Sequence, residues 1–165
     1  VQVDDTNFDL PGPNAKTRTN YGRVHEGFYK YLYDKTKPGR DGLTISKADE
    51  IFGKLHALFK MYPEYTLWVT GHSLGAALST LFAFRAATHR GIPKRPVMNV
   101  SFASPFVGDH TFQKEFQDLE KKGLIRYLRV SNEDDVVPLV PFATPDVPPK
   151  LYKHVGMNVK LYNKT

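Results

Sequence analysis

The chain has 165 residues, of which 41% are hydrophobic and 24% are charged, a composition that excludes a wholly disordered chain. At this length we expect one domain, with a hydrophobic core that needs no disulfides. The sequence has no cysteine, which fits a reducing compartment without requiring one. No stretch approaches the roughly 18 consecutive apolar residues of a membrane-spanning helix.

Basic residues outnumber acidic ones by 23 to 17, for a formal net charge of +6. The basic side chains are scattered and mixed with acids, as in residues 109–122, whereas a nucleic-acid-binding protein clusters them. We therefore expect no nucleic acid partner. The charge fits a solvated basic surface, or a mild attraction to anionic lipid head groups or acidic substrates.

The amino-terminal residues predict no regular structure. The chain begins with Val1, and no positively charged segment precedes an apolar stretch. We therefore expect no signal peptide within these residues, and we expect the chain to be either processed or an excerpt. Residues 1–23 carry Pro, Gly and Asn without periodicity, which predicts a long loop. Such a loop is unusual in a compact domain and indicates a functional flap or a strand whose partner is missing.

Helical patterns follow. Apolar spacing predicts a short helix over residues 24–33, and the composition of residues 35–42 predicts a turn. A stronger helix is predicted to begin after Ser46, because Ser46 and Asp49 have the spacing of a capping box and an apolar stripe follows. We expect this helix to end at Pro63.

Strands and helices alternate over the rest of the chain. The predicted strands lie at residues 67–70, 97–103 and 124–130, and the predicted helices at residues 74–89 and from residue 108 onward. The proline-rich residues 138–149 are predicted to be loop, and residues 151–161 a final strand or hairpin. This order predicts the α/β class, with a mostly parallel sheet that has helices on both faces.

Residues 71–75 read Gly-His-Ser-Leu-Gly, a Gly-x-Ser-x-Gly pattern between a predicted strand and a predicted helix. Such a pattern occurs by chance in ordinary turns, but this context is that of a nucleophile elbow, which exposes a serine above the sheet. The two glycines lack Cβ atoms that would clash in so sharp a turn. Ser73 is therefore the candidate nucleophile, and the backbone N–H of Leu74 is the candidate oxyanion donor.

A serine nucleophile needs a base, and the base needs an orienting carboxylate. After a nucleophile elbow the expected chain order is serine, acid, histidine. Asp134 and Asp135 both follow the strand predicted at residues 124–130. Successive side chains of an extended segment point to opposite sides, so at most one aspartate faces the serine, and the segment alone leaves the choice open. A solvated acidic turn is the alternative.

Only one histidine, His154, follows the two aspartates in the chain. The alternation around His154 predicts a strand with this residue on the polar face, whereas a catalytic histidine needs a loop that reaches both partners. His154 is therefore a candidate base by chain order, with a strand histidine making structural hydrogen bonds as the alternative. The other histidines all precede the acid: His25, His56, His72, His89 and His110.

Five segments carry a resemblance to a known family: residues 24–28 (VHEGF), 70–78 (TGHSLGAAL), 102–109 (FASPFVGD), 132–138 (NEDDVVP) and 152–156 (YKHVG). In these segments the chain resembles the class 3 lipases, α/β-hydrolases that include fungal triacylglycerol lipases and plant phospholipases. The resemblance implies an α/β-hydrolase fold. It also implies that Asp135 rather than Asp134 is the acid, since the catalytic aspartate of the family stands before a hydrophobic pair and a proline.

The resemblance further implies that both ends of the family's domain are missing. The catalytic histidine of the family lies downstream of the position that matches His154, so we expect the base beyond residue 165. A Phe-Arg-Gly-Thr/Ser segment, which in the family supplies a second oxyanion donor and leads into a lid, is absent. We therefore expect residues 1–165 to be a single partial domain, in which residues 1–23 form the loop after the lid.

The function implied is that of a serine ester hydrolase, which cleaves acyl esters of triacylglycerol or phospholipid at a lipid–water interface through an acyl-enzyme. The alternative from another class is a catalytically inactive, lipase-like interaction protein, which the missing base favours. A feruloyl or other carbohydrate esterase is a further alternative among enzymes. We expect no metal or other cofactor, since the sequence has neither an HExxH motif nor cysteine ligands.

Overall fold

The computed structural model describes residues 5–11, 18–38, 44–140 and 152–162. In chain order the elements are β1 (Asp5–Pro11), β2 (Arg18–His25), α1 (Glu26–Tyr33), β3 (Lys35–Pro38), β4 (Thr44–Ser46), α2 (Lys47–Met61), β5 (Trp68–His72), α3 (Leu74–Thr88), β6 (Val97–Phe102), β7 (Gly108–Asp109), α4 (His110–Lys121), β8 (Ile125–Asn132), a short 3₁₀ helix (Val137–Leu139), β9 (Tyr152–Lys153) and β10 (Met157–Leu161).

The central sheet is parallel throughout and has the strand order β5-β6-β8-β10. Helix α3 connects β5 to β6, and α4 lies between β6 and β8. Parallel neighbours require such crossover connections, which explains the alternation of patterns in the sequence and confirms the α/β class. The carboxyl ends of parallel strands share one edge, so the residues after β5 and after β8 lie along the same edge.

The two faces of this sheet differ in burial. Helices α3 and α4 pack on the face that carries Asn99, Ser101 and Tyr127, all of which are buried. Alternate residues point to the opposite face. Large apolar side chains remain exposed on that face within the described residues, and they are Trp68, Phe102, Met157, Val159 and Leu161.

A second sheet has the order β1-β2-β7-β9 and is antiparallel. The loop predicted for residues 1–23 is therefore wrong for β1 and for the described start of β2, while residues 1–4 and 12–17 lie outside the described residues. Strand β1 forms because Phe8 and Leu10 alternate into the core, at 0% and 3% exposure. The ring of Phe8 packs edge-on against Phe84 and Phe112, with centroids 5.4 and 5.6 Å away.

Two other segments depart from the predictions. The turn predicted at residues 35–42 begins instead with β3, which pairs antiparallel with β4, and residues 39–43 lie outside the described residues. The strand or hairpin predicted at residues 151–161 is two strands of different sheets, β9 and β10. Gly156, with φ +75°, makes the break between them, so His154 lies between strands and not within one.

The predicted cap of α2 is confirmed. Ser46 Oγ accepts the backbone N–H of Asp49 at 3.1 Å and also bonds the Asp49 carboxylate at 2.8 Å. Asp49 in turn binds Arg85 of α3 at 2.7 Å, which ties the start of α2 to the central helix. Because of Arg85 and Ser46, the pKa of Asp49 stays below its usual value despite partial burial, which by itself would raise it.

Asn99 is 1% exposed at the centre of β6, and neither its side-chain oxygen nor its nitrogen has a hydrogen-bond partner among the described residues. An unpaired buried amide costs free energy that an apolar side chain would not. Ser101 lies on the same face of the same strand, but its hydroxyl bonds Tyr127 Oη at 2.7 Å.

These neighbours should respond oppositely to the same substitution. We expect Asn99→Val to raise the free energy of unfolding by about 1 kcal/mol, and Ser101→Val to lower it by about 1 kcal/mol because it removes a buried hydrogen bond. Urea denaturation followed by circular dichroism measures both. A clear loss of stability in Asn99→Val would show that the amide has a partner.

Candidate active site

The serine of the Gly-x-Ser-x-Gly segment stands between β5 and α3 with φ 53° and ψ −121°. A non-glycine residue with positive φ is strained, and such strain is typical of a nucleophile elbow. A Cβ at Gly71 would lie 2.1 Å from the carbonyl oxygen of Gly75, so only glycine fits there. A Cβ at Gly75 would meet no atom within 4 Å, so the steric requirement predicted for both glycines applies to Gly71 alone.

Backbone hydrogen bonds hold the elbow in place. The N–H of Ser73 donates to the carbonyl of Phe102 at 3.0 Å, which joins the elbow to the end of β6. The carbonyl of Ser73 accepts the N–H of Ala76 at 2.9 Å and so begins α3. Leu74 is the first residue of α3, where backbone N–H groups lack acceptors within the helix and the helix dipole favours negative charge. Its N–H is suited to an oxyanion.

Beneath the elbow lies a buried group of hydroxyls that sequence patterns do not indicate. Tyr127 Oη on β8 is 2.8 Å from Thr80 Oγ1 on α3 and 2.7 Å from Ser101 Oγ on β6. Thr80 Oγ1 also donates to the carbonyl of Ala76 at 2.8 Å. These bonds connect the first turns of α3 to the two neighbouring strands of the sheet, and so brace the helix that begins at the serine.

The two aspartates after β8 differ in environment. Asp135 is partly buried, whereas Asp134 is exposed. The carboxylate Oδ1 of Asp135 accepts the N–H of Val137 at 2.9 Å, and the N–H of Asp135 approaches the carbonyl of Asn132 at 3.4 Å. Asp135 is therefore held in a tight turn past the carboxyl end of β8, at the same edge of the sheet as Ser73.

His154 lies in the connection between β9 and β10. Its Nε2–H donates to the carbonyl of Pro138 at 2.9 Å, and its ring stacks on Phe106 with centroids 3.9 Å apart. Burial, and after it the positive charge of Arg129, lower the pKa of His154 to about 4, although the bond to Pro138 opposes the shift. The imidazole is thus neutral near pH 7, and the nitrogen that bears its proton is engaged with a backbone carbonyl.

Exposed apolar side chains flank both Ser73, the candidate nucleophile, and Asp135, the candidate acid. Leu74 and Phe102 beside Ser73 are 47% and 44% exposed, and Val136 and Leu139 beside Asp135 are 65% and 57% exposed. Exposed apolar groups gathered at one edge are typical of a surface that binds an apolar ligand. Sequence patterns alone did not indicate this surface, because each residue is isolated along the chain.

Two further kinds of feature are absent from the described residues, a metal-binding cluster and a membrane-spanning helix. No group of three or more His, Asp or Glu side chains there is arranged to hold a metal ion. In the same part of the chain, no helix is both long enough and apolar enough to cross a membrane.

The difference between the two glycines of the elbow can be tested directly. We expect Gly71→Ala to lower the free energy of unfolding by about 3 kcal/mol or more, because its Cβ overlaps the backbone of Gly75. Gly75→Ala is the matched control and should be neutral or stabilising by up to about 1 kcal/mol. Thermal unfolding of both variants measures this, and equal effects would contradict the close approach at Gly71.

Comparisons with known proteins agree with this geometry. The family model "Lipase (class 3)" matches residues 4–144. "Phospholipase A1-II 6" from Oryza sativa subsp. japonica is 35% identical over 159 residues, which cover 87% of this chain and 38% of that protein. The chain thus spans less than two fifths of the length of this relative.

Solved structures share the fold. The Lip2 lipase from Yarrowia lipolytica aligns with a TM-score of 0.69 at 24% identity, covering 97% of this chain and 50% of that one. A triacylglycerol lipase whose catalytic centre is a serine protease triad aligns with a TM-score of 0.61 at 25% identity, covering 94% of this chain and 49% of that one. On the family match and the rice relative together, the chain belongs to the class 3 lipase family.

Proposed function

We propose that this chain forms the nucleophile-bearing core of a serine hydrolase that cleaves acyl esters of lipids. The observation that carries the proposal is the backbone of Ser73, with φ 53° directly between a parallel strand and a buried helix. A strained serine at this point serves a nucleophile elbow and has no other evident structural use. Membership of the class 3 lipase family supports the same reaction.

In the reaction proposed, Ser73 Oγ attacks the ester carbonyl while a histidine takes the proton of the serine hydroxyl. The histidine then gives this proton to the leaving alcohol as the ester C–O bond breaks and the acyl-enzyme forms. The N–H of Leu74 donates to the oxyanion that develops. Asp135 orients the histidine and stabilises it when it is protonated. Water then attacks the acyl-enzyme with the same histidine as base, which releases the fatty acid and restores the serine.

We propose that the base lies beyond residue 165. Strand β10 is parallel to β8 and ends at Leu161, so the chain that leaves β10 starts at the edge where Ser73 and Asp135 lie. His154 is a poor base for neutral pH, because an efficient base has a pKa near the working pH and the pKa of His154 is about 4. Its proton-bearing nitrogen also bonds Pro138.

The apolar side chains around the serine support a lipid substrate. The exposed Leu74, Phe102, Val136 and Leu139 would contact the acyl chain of a lipid, which supports a lipid ester over a carbohydrate ester. The relatives of similar sequence are named phospholipases A1, and a solved structure of similar fold is a triacylglycerol lipase. Phospholipid and triacylglycerol are therefore the two substrates to assay.

Covalent labelling tests the nucleophile. We expect an alkyl phosphonate to label the full-length protein at Ser73, because the reagent reacts only with an activated serine. Peptide mapping by mass spectrometry locates the label, and Ser73→Ala should abolish it. A label on another serine would refute the assignment, and no label at all would favour the inactive interaction protein.

Matched substitutions separate the two aspartates. In the full-length protein we expect Asp135→Asn to lower kcat on a p-nitrophenyl ester by about 10⁴-fold, the loss seen when a triad loses its acid. Asp134→Asn is the control, and it should change kcat little because an exposed charge contributes below about 1 kcal/mol. Similar losses in both variants, or the reverse order, would mean that Asp135 is not the acid.

A further inference from the structure

We propose that His154 is a positioning residue, which holds the turn carrying Asp135 by donating its Nε2–H to the carbonyl oxygen of Pro138. The proposal rests on the proposed function, since it takes Asp135 as the acid of the triad. It gives a role in the site to a histidine that chain order alone would nominate as the base.

The hydrogen bond itself has a defined direction. The carbonyl oxygen of Pro138 can only accept, so Nε2 of His154, 2.9 Å away, must carry the proton. Pro138 is buried, so its carbonyl has few other donors available. The ring stacks on Phe106 with an interplanar angle of 20°, which sets the direction in which the N–H points.

The backbone on which His154 stands is anchored on both sides. Its carbonyl accepts a hydrogen bond from Gln113 Nε2 of α4 at 2.8 Å. The next carbonyl, that of Val155, accepts from Arg129 Nε of β8 at 2.9 Å. Tyr152, two residues before His154, pairs with Asp109 in the second sheet. The backbone that carries the imidazole is thus bonded to both sheets and to α4.

Two hydrogen bonds in series connect this ring to the carboxylate. His154 holds the carbonyl of Pro138, and the N–H of Val137, the preceding residue, holds Asp135 Oδ1 at 2.9 Å. Side-chain packing holds only part of the turn, because Pro138 is buried whereas Val136 and Leu139 are mostly exposed. Backbone bonds anchor the segment at both ends, from Glu133 N–H to Leu161 and from Phe106 N–H to Val140, while the bond from His154 holds the middle of the turn next to the residue that binds Asp135.

The charge state of His154 suits a fixed donor. Burial first, and the nearby Arg129 second, keep its pKa at about 4, so the ring stays neutral at the pH of ester hydrolysis. A neutral imidazole with its proton on Nε2 keeps the hydrogen bond to Pro138 and neither gains nor loses a proton. A base, in contrast, must gain and lose a proton in every cycle.

Two variants of the full-length protein separate the ring from the donor. His154→Phe keeps an aromatic ring on Phe106 but removes the N–H, whereas His154→Gln keeps a donor near the position of Nε2 and removes the ring. We expect kcat of the Phe variant to fall by about 10 to 100-fold with KM nearly unchanged, as expected for a small displacement of a catalytic group. We expect the Gln variant to recover most of this loss.

The pH–rate profile and nuclear magnetic resonance separate a fixed hydrogen-bond donor from a general base, while the recovery of kcat in the Gln variant separates it from a merely structural residue. The acidic limb, which reports the true base, should keep its midpoint in both variants. In the unsubstituted protein, ¹⁵N shifts of His154 should show the Nε2–H tautomer, with no titration between pH 5 and 8 given a pKa of about 4.

The outcomes are distinct. Wild-type kcat in the Phe variant, or equal losses in Phe and Gln variants that both fold, would overturn the positioning role. Loss of nearly all activity at every pH in both folded variants would indicate that His154 is the base and would also overturn the positioning role. If the Phe variant does not fold, the Gln variant decides: near-normal kcat supports the donor role, and a loss refutes it. Asp135→Asn, assayed alongside, tests the proposed function separately. Full activity in that variant would refute the proposed triad itself, whatever the His154 variants show.

Discussion

The contact between Gly71 and the peptide of Gly75 brings the start of α3 directly onto the end of β5. With no Cβ between them, the chain reverses within four residues, and the residue in the middle is forced to φ 53°. The same reversal turns the first N–H groups of α3 toward the edge of the sheet, where Ser73 Oγ is. One backbone contact thus places both the proposed nucleophile and the proposed oxyanion donor, and the positions of both depend on the position of α3.

The interior holds α3 against that strain. A residue in a sparsely populated backbone region costs of order 1–3 kcal/mol. Leu81 and Phe84 of α3 are both 0% exposed, and burying each side chain contributes about 1.5–3 kcal/mol. Tyr127 adds directional hydrogen bonds to this packing, because its hydroxyl joins Thr80 of the helix to Ser101 of the sheet. Apolar burial fixes how deep the helix lies, and the hydroxyls fix its rotation and register.

Local sequence patterns were sufficient to predict those parts of the structure that depend on residues close together in the chain. The elbow, α3 and the cap at Ser46 each depend on residues within about one helical turn, and each was predicted correctly. Strand β1 was missed because only Phe8 and Leu10 reveal its inward face, between polar residues and a Pro-Gly-Pro segment. It is stabilised by rings distant in the sequence, and no local period records such contacts.

The same reasoning explains the part of the site that sequence patterns could not supply. The alternation over residues 151–161 predicted a strand or hairpin, but Gly156 turns the backbone there and the two halves join different sheets. The imidazole bonds the backbone carbonyl of Pro138. Every residue has a backbone carbonyl, so the sequence does not indicate which one accepts this hydrogen bond. The role of a histidine that binds one is visible only in three dimensions.

The positive φ of Ser73 sets the stability of the fold against the proposed activity at a single position. Glycine there would relieve the strain and make the fold more stable, while alanine would keep the strain and lose the hydroxyl. A library selected for heat resistance alone would thus favour glycine at position 73 and lose the proposed nucleophile. Ala103, with φ 50° at the end of the neighbouring strand, has similar strain without any proposed chemistry. Protein engineers can therefore seek thermostability at Ala103 by introducing glycine, and should exclude position 73 from the search.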